Sequence, residues 1–178
     1  MSVALVGMEH KEDYNAGHQV AKNKVPDGIV IIDFGSQYSH LIARRIRELN
    51  VYCEVFSFNS SWQLVTSSIN AKGIILSGGP SSVYGKDAHL APHWVYDNEL
   101  PVLGICYGMQ VIAHQLGGKV APADKREYGQ ATLHKKLSKV PILDGLDPSS
   151  PVWMSHGDQI KQVPPGFDIL AYTNNSPV

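Results

Sequence analysis

Three short apolar runs constrain the fold of this chain more than any other feature. They are GIVIID at residues 28–33, GIILSGGP at 73–80 and PVLGIC at 101–106. The core of each run lacks the polar and apolar alternation of a half-exposed strand, which predicts strands buried on both faces. Each run leads into a turn that contains glycine, so each predicted strand ends sharply.

Helical and strand-like segments alternate with these runs. Apolar residues recur at helical spacing over residues 38–49, and YGMQVIAHQLGG predicts a helix that ends at two glycines. VYCEVF predicts another strand and SSWQLVTSSINA a weaker helix, while only short strand-like pieces follow residue 120 (QATLHKKL, PVWMSHGD and FDILAYT). This order predicts a flavodoxin-like α/β fold: an open, mostly parallel sheet with helices on both faces. Such sheets bind ligands at the carboxyl ends of their strands.

The composition is that of one globular domain. The 178 residues carry a net charge of −1 and 43% hydrophobic residues, enough for a substantial core. No apolar run reaches the length of a membrane span and no basic patch indicates nucleic acid, so we expect neither partner. Cys53 and Cys106 lack the spacing of a disulfide or zinc scaffold, which favours a cytoplasmic location. We predict that residues 1–27 form a flexible N-terminal extension and that residues 28–178 form the domain.

Cys106 is the strongest candidate for a reactive side chain. Gly104 and Gly108 lie two residues on either side of it, between a predicted strand and a predicted helix. This spacing is typical of a nucleophile elbow, in which the nucleophile's backbone is strained and the glycines prevent clashes. The helix N-terminus predicts a lowered thiol pKa, and the backbone N–H of Tyr107 is a candidate oxyanion donor. The alternative is a buried structural cysteine, the interpretation that we prefer for Cys53.

A second glycine turn lies at the same edge of the predicted sheet. Gly78 and Gly79 follow a strand there, so a substrate could approach the backbone closely and meet a second oxyanion N–H. A plain turn and a phosphate-binding loop are the alternatives. We discount phosphate binding because Ser81 stands where the loop of ATP pyrophosphatases has an acid, and no Walker lysine follows.

The sequence WMSHGD places Ser155, His156 and Asp158 within four positions. Residues so close together cannot adopt the geometry of a hydrolytic triad, which draws on separate loops. A polar turn that presents Ser155 and Asp158 to a small zwitterion is one interpretation, and a plain surface turn is the other. His89 and His93 have i, i+4 spacing, but a proline lies between them and no further ligand matches. We therefore expect solvated histidines and no metal site.

In chain order, LSGGPSSVY, PVLGICYGMQVIAHQLGG and WMSHGD together resemble the class I glutamine amidotransferases. The opening IVIIDFGSQYSHLIARRIRELNVYCEV and the sequence REYG resemble the subfamily that supplies ammonia for ATP-dependent amination of XMP to GMP. The resemblance implies that Cys106 attacks the side-chain amide of L-glutamine, forms a thioester and releases ammonia, with Gly79 and Tyr107 as oxyanion donors. It also implies a set of glutamine contacts: Gly78, Gln110, Ser155, His156, Gly157 and Asp158.

The resemblance also implies a base that these 178 residues lack. In the family a histidine in an H-P-E sequence activates the cysteine, and no H-P-E occurs here. We therefore expect a domain that is incomplete at its C-terminus and weakly active or inactive alone. The implied partner is an ATP pyrophosphatase (synthetase) domain, in the same chain or another; ATP and Mg²⁺ belong to that domain, with no cofactor in this one. Two alternatives stay open: an amidotransferase-like module that binds glutamine or a synthetase without turnover, and a different elbow-cysteine hydrolase or redox protein.

Overall fold

The computed structural model of the chain describes residues 3–6, 25–136 and 140–178. In chain order its elements are β1 (Val3–Val6), β2 (Asp27–Asp33), α1 (Ser39–Glu48), β3 (Cys53–Ser57), α2 (Trp62–Ser68), β4 (Asn70–Leu76), α3 (Trp94–Asp97), β5 (Val102–Ile105), α4 (Tyr107–Gln115), β6 (Lys119–Lys135), a 3₁₀-helix (Pro141–Leu143), β7 (Ser149–Gln162) and β8 (Ala171–Tyr172). None of the helices in these described ranges is long and apolar enough to cross a membrane.

The main sheet confirms the predicted α/β fold. Within the described residues it has five strands in the order β1–β5–β4–β2–β3. β2 pairs in parallel with both β3 and β4, and β4 pairs in parallel with β5. β1 is antiparallel to β5. The carboxyl ends of the parallel strands therefore meet at one edge, where β4 and β5 lead into the two glycine turns.

Helices cover both faces of this sheet, which explains the continuous apolar sequence of β2. Val30 and Ile32 belong to the core on one face, together with Val65 from the middle of α2. Ile31 belongs to the core on the opposite face, against Ile42 of α1. Burying each such side chain fully contributes about 1.5–3 kcal/mol, so alternate residues of one strand stabilise two layers of helix.

A second sheet has the strand order β7–β6–β8 in the described part of the chain, and the sequence pattern does not predict it. β6 pairs antiparallel with β7, from Lys119 opposite Gln162 to His134 opposite Ser149. β8 adds to the other side of β6, with Lys135 opposite Ala171. The three strand-like pieces predicted after residue 120 overlap these strands. Their joining into one long hairpin is not visible in the sequence because polar residues occupy much of β6 and β7.

Residues 3–6 lie inside the segment predicted as a flexible extension, yet they form β1 and pair with β5, from Val3 opposite Ile105 to Val6 opposite Val102. The expectation of a flexible extension is therefore wrong for these four residues. Residues 7–24 of the same segment lie outside the described residues. The domain boundary at residue 28 therefore stays a prediction.

We expect Gly108→Ala to lower the free energy of unfolding by about 3 kcal/mol or more. The new methyl carbon would lie 2.2 Å from the backbone oxygen of Leu76, and a backbone atom cannot rotate away. Urea denaturation measures the loss. His114→Ala, at an exposed position near the end of the same helix, is the matched control and should stay within about 0.5 kcal/mol of the parent chain. Equal stability of the two variants would contradict the close contact between β4 and α4.

Candidate active site

Cys106 occupies a strained turn between β5 and α4. Its backbone has φ 54° and ψ −109°, a positive φ that non-glycine residues rarely adopt. A side chain on Gly104 would begin 2.6 Å from the backbone nitrogen of Met109, and one on Gly108 would begin 2.2 Å from the Leu76 carbonyl oxygen. Both glycines are therefore required by contact with backbone, and the predicted elbow geometry is present.

Burial dominates the electrostatics of the Cys106 thiol. Removal from water raises its pKa above the ordinary value, because the thiolate loses hydration, while a hydrogen bond from the backbone of Tyr107 lowers the pKa by less. The sequence predicted a lowered pKa from the helix N-terminus alone. That prediction is wrong in its net direction, since it counted the helix terminus and not the burial.

Hydrogen bonds of Ser77 connect the turn after β4 to the elbow at Cys106. The Ser77 hydroxyl accepts a hydrogen bond from the Phe34 N–H at 3.2 Å and donates to the Gly78 carbonyl at 2.9 Å. The Ser77 carbonyl accepts from the Gly108 N–H of α4 at 2.9 Å. The residue is fully buried, so these bonds fix the position of the turn relative to Cys106.

Close packing explains the two glycines of this turn. A side chain on Gly79 would begin 3.0 Å from the Tyr107 ring and 3.1 Å from the Phe34 carbonyl oxygen. One on Gly78 would begin 3.2 Å from Ser36 Oγ and 4.0 Å from the Cys106 Cβ. The turn therefore lies directly beside the thiol, as expected for an element that contributes to the same site.

The SHGD residues lie within strand β7, so the prediction of a polar turn at 155–158 is wrong. His156 pairs with Glu127 of β6, Ser155 with Tyr128 and Asp158 with Pro122. The pairing shifts register between Pro122 and Glu127. Despite the strand conformation, the segment reaches the elbow: the Ser155 carbonyl oxygen is 4.0 Å from Cys106 Sγ.

Asp158 connects this strand to two other elements. Its carboxylate accepts hydrogen bonds from Ser82 Oγ at 2.5 Å and from Tyr84 Oη at 2.8 Å. Its carbonyl oxygen accepts from the Gln110 side-chain amide of α4 at 3.3 Å. Burial and the Asp158 carboxylate both raise the pKa of Tyr84, with burial the larger cause. The contact of Asp158 with a ligand stays a prediction.

His156 has a partner that the sequence did not single out as a site residue. Its Nε2 is 3.1 Å from Oε2 of Glu127, and its Nδ1 is 2.9 Å from the Asp158 carbonyl oxygen. Thr173 donates to the other oxygen of Glu127 at 2.6 Å. The only sequence signal for Glu127 is its place in REYG, which identifies a subfamily but gives no contact.

Most of the predicted site residues line one cleft of about 750 Å³. Those that line it are Gly78, Gly79, Cys106, Gln110, Ser155, His156 and Asp158. Tyr107 and Gly157 are their sequence neighbours and are not part of the lining. The lining also includes three exposed apolar side chains, those of Tyr38, Leu41 and Trp153. The predicted residues thus reach the cleft from three separate segments, at 78–79, 106–110 and 155–158.

Cys53, His89 and His93 are not part of the lining of this cleft. Cys53 is fully buried, with its thiol donating to the Ala43 carbonyl at 3.4 Å. The His89 ring stacks on Phe58 with the centroids 4.0 Å apart, rather than standing in solvent as expected. His93 is exposed at the start of α3.

Most of this chain is similar in sequence to known proteins. The family described as glutamine amidotransferase class-I matches residues 30–178. Proteins named glutamine-hydrolyzing GMP synthase from Dehalococcoides mccartyi strain 195 and Thermomicrobium roseum are 57% and 54% identical over 152 and 151 residues. Each alignment covers 85% of this chain and 28% of the relative, so the chain spans little more than a quarter of these relatives' length.

The fold of this chain is also similar to that of a solved structure. A Thermoplasma acidophilum protein, described as a candidate GMP synthase subunit, superposes with a TM-score of 0.72 at 27% identity. The match covers 89% of this chain and 77% of that one. The family match extends over most of the chain and includes the elbow, the glycine turn and the SHGD strand that meet in one cleft. This chain therefore belongs to the class-I glutamine amidotransferase family.

Proposed function

We propose that this chain hydrolyses L-glutamine at Cys106 and supplies the ammonia for ATP-dependent amination of XMP to GMP. The observation that carries the proposal is the strained Cys106 elbow, enclosed in one cleft with the SGGP turn and the SHGD strand. The acceptor is proposed from the relatives named GMP synthase, which are 57% and 54% identical to this chain.

The chemistry is acyl transfer through a covalent intermediate. The Cys106 thiolate attacks the carbon of the glutamine side-chain amide and forms a tetrahedral oxyanion, toward which the backbone N–H groups of Gly79 and Tyr107 donate. Collapse of this oxyanion breaks the carbon–nitrogen bond. The departing nitrogen takes a proton and leaves as ammonia, and a γ-glutamyl thioester remains. Water then attacks the thioester, giving glutamate and the free thiol.

The rest of the cleft orients the substrate in this proposal. Gly78, Gln110 and the segment 155–158 hold the α-amino and α-carboxylate groups of glutamine, so that only the side-chain amide reaches the thiol. Within segment 155–158, the proposed contacts are Ser155, His156, Gly157 and Asp158. Such positioning converts binding energy into orientation of the reacting atoms.

The ammonia acceptor reaction belongs to a partner. We propose an ATP pyrophosphatase domain, in the same or a separate chain, that binds ATP, Mg²⁺ and XMP, while the amidotransferase part uses no cofactor. The cytoplasm is the proposed location, because the reaction needs free nucleotides and a reduced Cys106 thiol, and the cytoplasm provides both.

A glutamine-analogue diazoketone tests the proposal directly. We expect it to alkylate Cys106 and not Cys53, with protection by glutamine, because only Cys106 lies in the proposed substrate cleft. Mass spectrometry of the labelled peptides locates the adduct, and Cys106→Ala should abolish it. Labelling of both cysteines, or labelling that glutamine does not prevent, would favour a general reactive thiol over a glutamine site.

The raised thiol pKa predicts the pH profile of Cys106 in the chain without ligand. Less thiolate is present near pH 8 than in a free thiol, whose pKa is about 8.5, so alkylation by iodoacetamide should continue to rise with pH where free cysteine levels off. The rate for Cys106 is the difference between the parent chain and Cys106→Ala. A midpoint below that of free cysteine would show that the helix terminus outweighs burial after all.

We expect the 178-residue chain alone to release ammonia from glutamine at least about 100-fold more slowly than a full-length relative. The sequence contains no H-P-E, and general acid–base assistance is typically worth about 10²–10⁴-fold. A coupled assay for ammonia measures both proteins, with Cys106→Ala as the background. Turnover within tenfold of the relative would mean that another group in this chain acts as the base.

A further inference from the structure

A buried chain of hydrogen bonds runs from Ser176 to the SHGD segment. The Ser176 N–H donates to Thr173 Oγ1 at 3.0 Å, and that hydroxyl donates to Glu127 Oε1 at 2.6 Å. Oε2 of Glu127 is 3.1 Å from His156 Nε2, and His156 Nδ1 is 2.9 Å from the Asp158 carbonyl oxygen. The Glu127 and His156 side chains are only 5% and 9% exposed, so these bonds have little competition from water.

The partners of His156 exclude it as the base for Cys106. The Asp158 carbonyl can only accept a hydrogen bond, so Nδ1 carries a proton. Nε2 and the Glu127 carboxyl share a second proton, held by one or the other, since two bare acceptors do not bond. Both ring nitrogens are therefore engaged, and neither presents a lone pair to the thiol. The ring connects two segments instead of exchanging protons.

The strand pairing explains why this segment needs side-chain support. Glu127 and His156 are direct partners across β6 and β7, but the register shifts between Pro122 and Glu127. Four β6 residues lie between these two, whereas only Gly157 lies between their β7 partners, His156 and Asp158. A shift of this kind disrupts the ladder of backbone hydrogen bonds. Side chains must supply the rigidity that the ladder does not.

The Asp158 carbonyl oxygen connects the fixed His156 ring to the helix that follows Cys106. The oxygen lies within hydrogen-bonding distance of both the His156 ring and the Gln110 amide, and Gln110 belongs to the helix that begins after Cys106. In the residue just before His156, the Ser155 carbonyl oxygen is 4.0 Å from the Cys106 sulfur. The orientation of the ring thus sets where the SHGD segment lies relative to the thiol.

We propose that Glu127 is a positioning residue for glutamine binding. With Thr173 it fixes the His156 ring, and the ring fixes residues 155–158 beside Cys106. The inference rests on the proposed function, in which those residues hold the backbone groups of glutamine. Removal of Glu127 frees the His156 ring and so weakens glutamine affinity. Because Glu127 is not part of the cleft lining, its removal leaves the intrinsic reactivity of the Cys106 thiol unchanged.

The test measures affinity and reactivity separately on the same cysteine. The glutamine-analogue diazoketone gives KI and kinact for Cys106, and iodoacetamide, which needs no glutamine pocket, gives the thiol reactivity. Glu127→Ala should raise KI about tenfold or more, because it leaves buried polar groups unpaired, while iodoacetamide reactivity stays within twofold. Glu127→Gln should restore KI to within about threefold, since its amide can donate to Nε2 and accept from Thr173. Glu99→Ala, at an exposed position, is the control.

Each outcome separates the inference from the proposed function. No glutamine-protectable labelling of the parent chain would overturn the proposed function itself. An unchanged KI in a folded Glu127→Ala chain, a parallel loss of iodoacetamide reactivity, or a loss that Glu127→Gln does not restore would overturn the inference alone. If Glu127→Ala does not fold, Thr173→Val decides: it removes one hydroxyl at nearly constant shape and should raise KI severalfold, and an unchanged KI overturns the inference.

Discussion

The carbonyl oxygen of Leu76 occupies the space in which a side chain on Gly108 would begin, so β4 and α4 touch backbone to backbone beside the thiol. This contact, together with the one at Gly104, holds Cys106 at a positive φ that the residue would not adopt on its own. The strain costs about 1–3 kcal/mol and is offset by the core that buries both faces of the main sheet. The position of Cys106 relative to the SGGP turn depends on this rigid turn.

The two sheets contribute different parts of the site. The parallel sheet supplies Cys106 and the SGGP turn from adjacent strand ends, which its parallel register brings to one edge. The antiparallel hairpin supplies the SHGD segment from the middle of a strand. Apolar packing joins them, since Val120 and Ile160 of the hairpin share a core with Met109 of α4, and polar contacts are added through Asp158 with Ser82 and Gln110. Polar contacts of this kind fix orientation more than they add stability.

Local patterns in the sequence predict the part of the site on the main sheet, but not the part on the antiparallel hairpin. The apolar runs, their helical neighbours and the G-x-C-x-G spacing predicted the main sheet and the elbow, because each depends on residues within a few positions. The SHGD strand and the Glu127 contact depend on a register between β6 and β7 across 29 positions. That register includes a shift, and no local rule gives its position. The direction of the thiol pKa failed for the same reason, since burial of Cys106 is a property of the assembled cleft.

Burial acts on the proposed chemistry in two opposite ways. It raises the pKa of the Cys106 thiol and so reduces the thiolate that must attack. It also strengthens any N–H directed at the oxyanion, because the same donor is worth more where water is excluded. A site with this balance gains most from a base that removes the thiol proton only when substrate is bound. The fixed hydrogen bonds of His156 leave that task to another group, while the ring keeps the SHGD segment, our proposed substrate contact, in place.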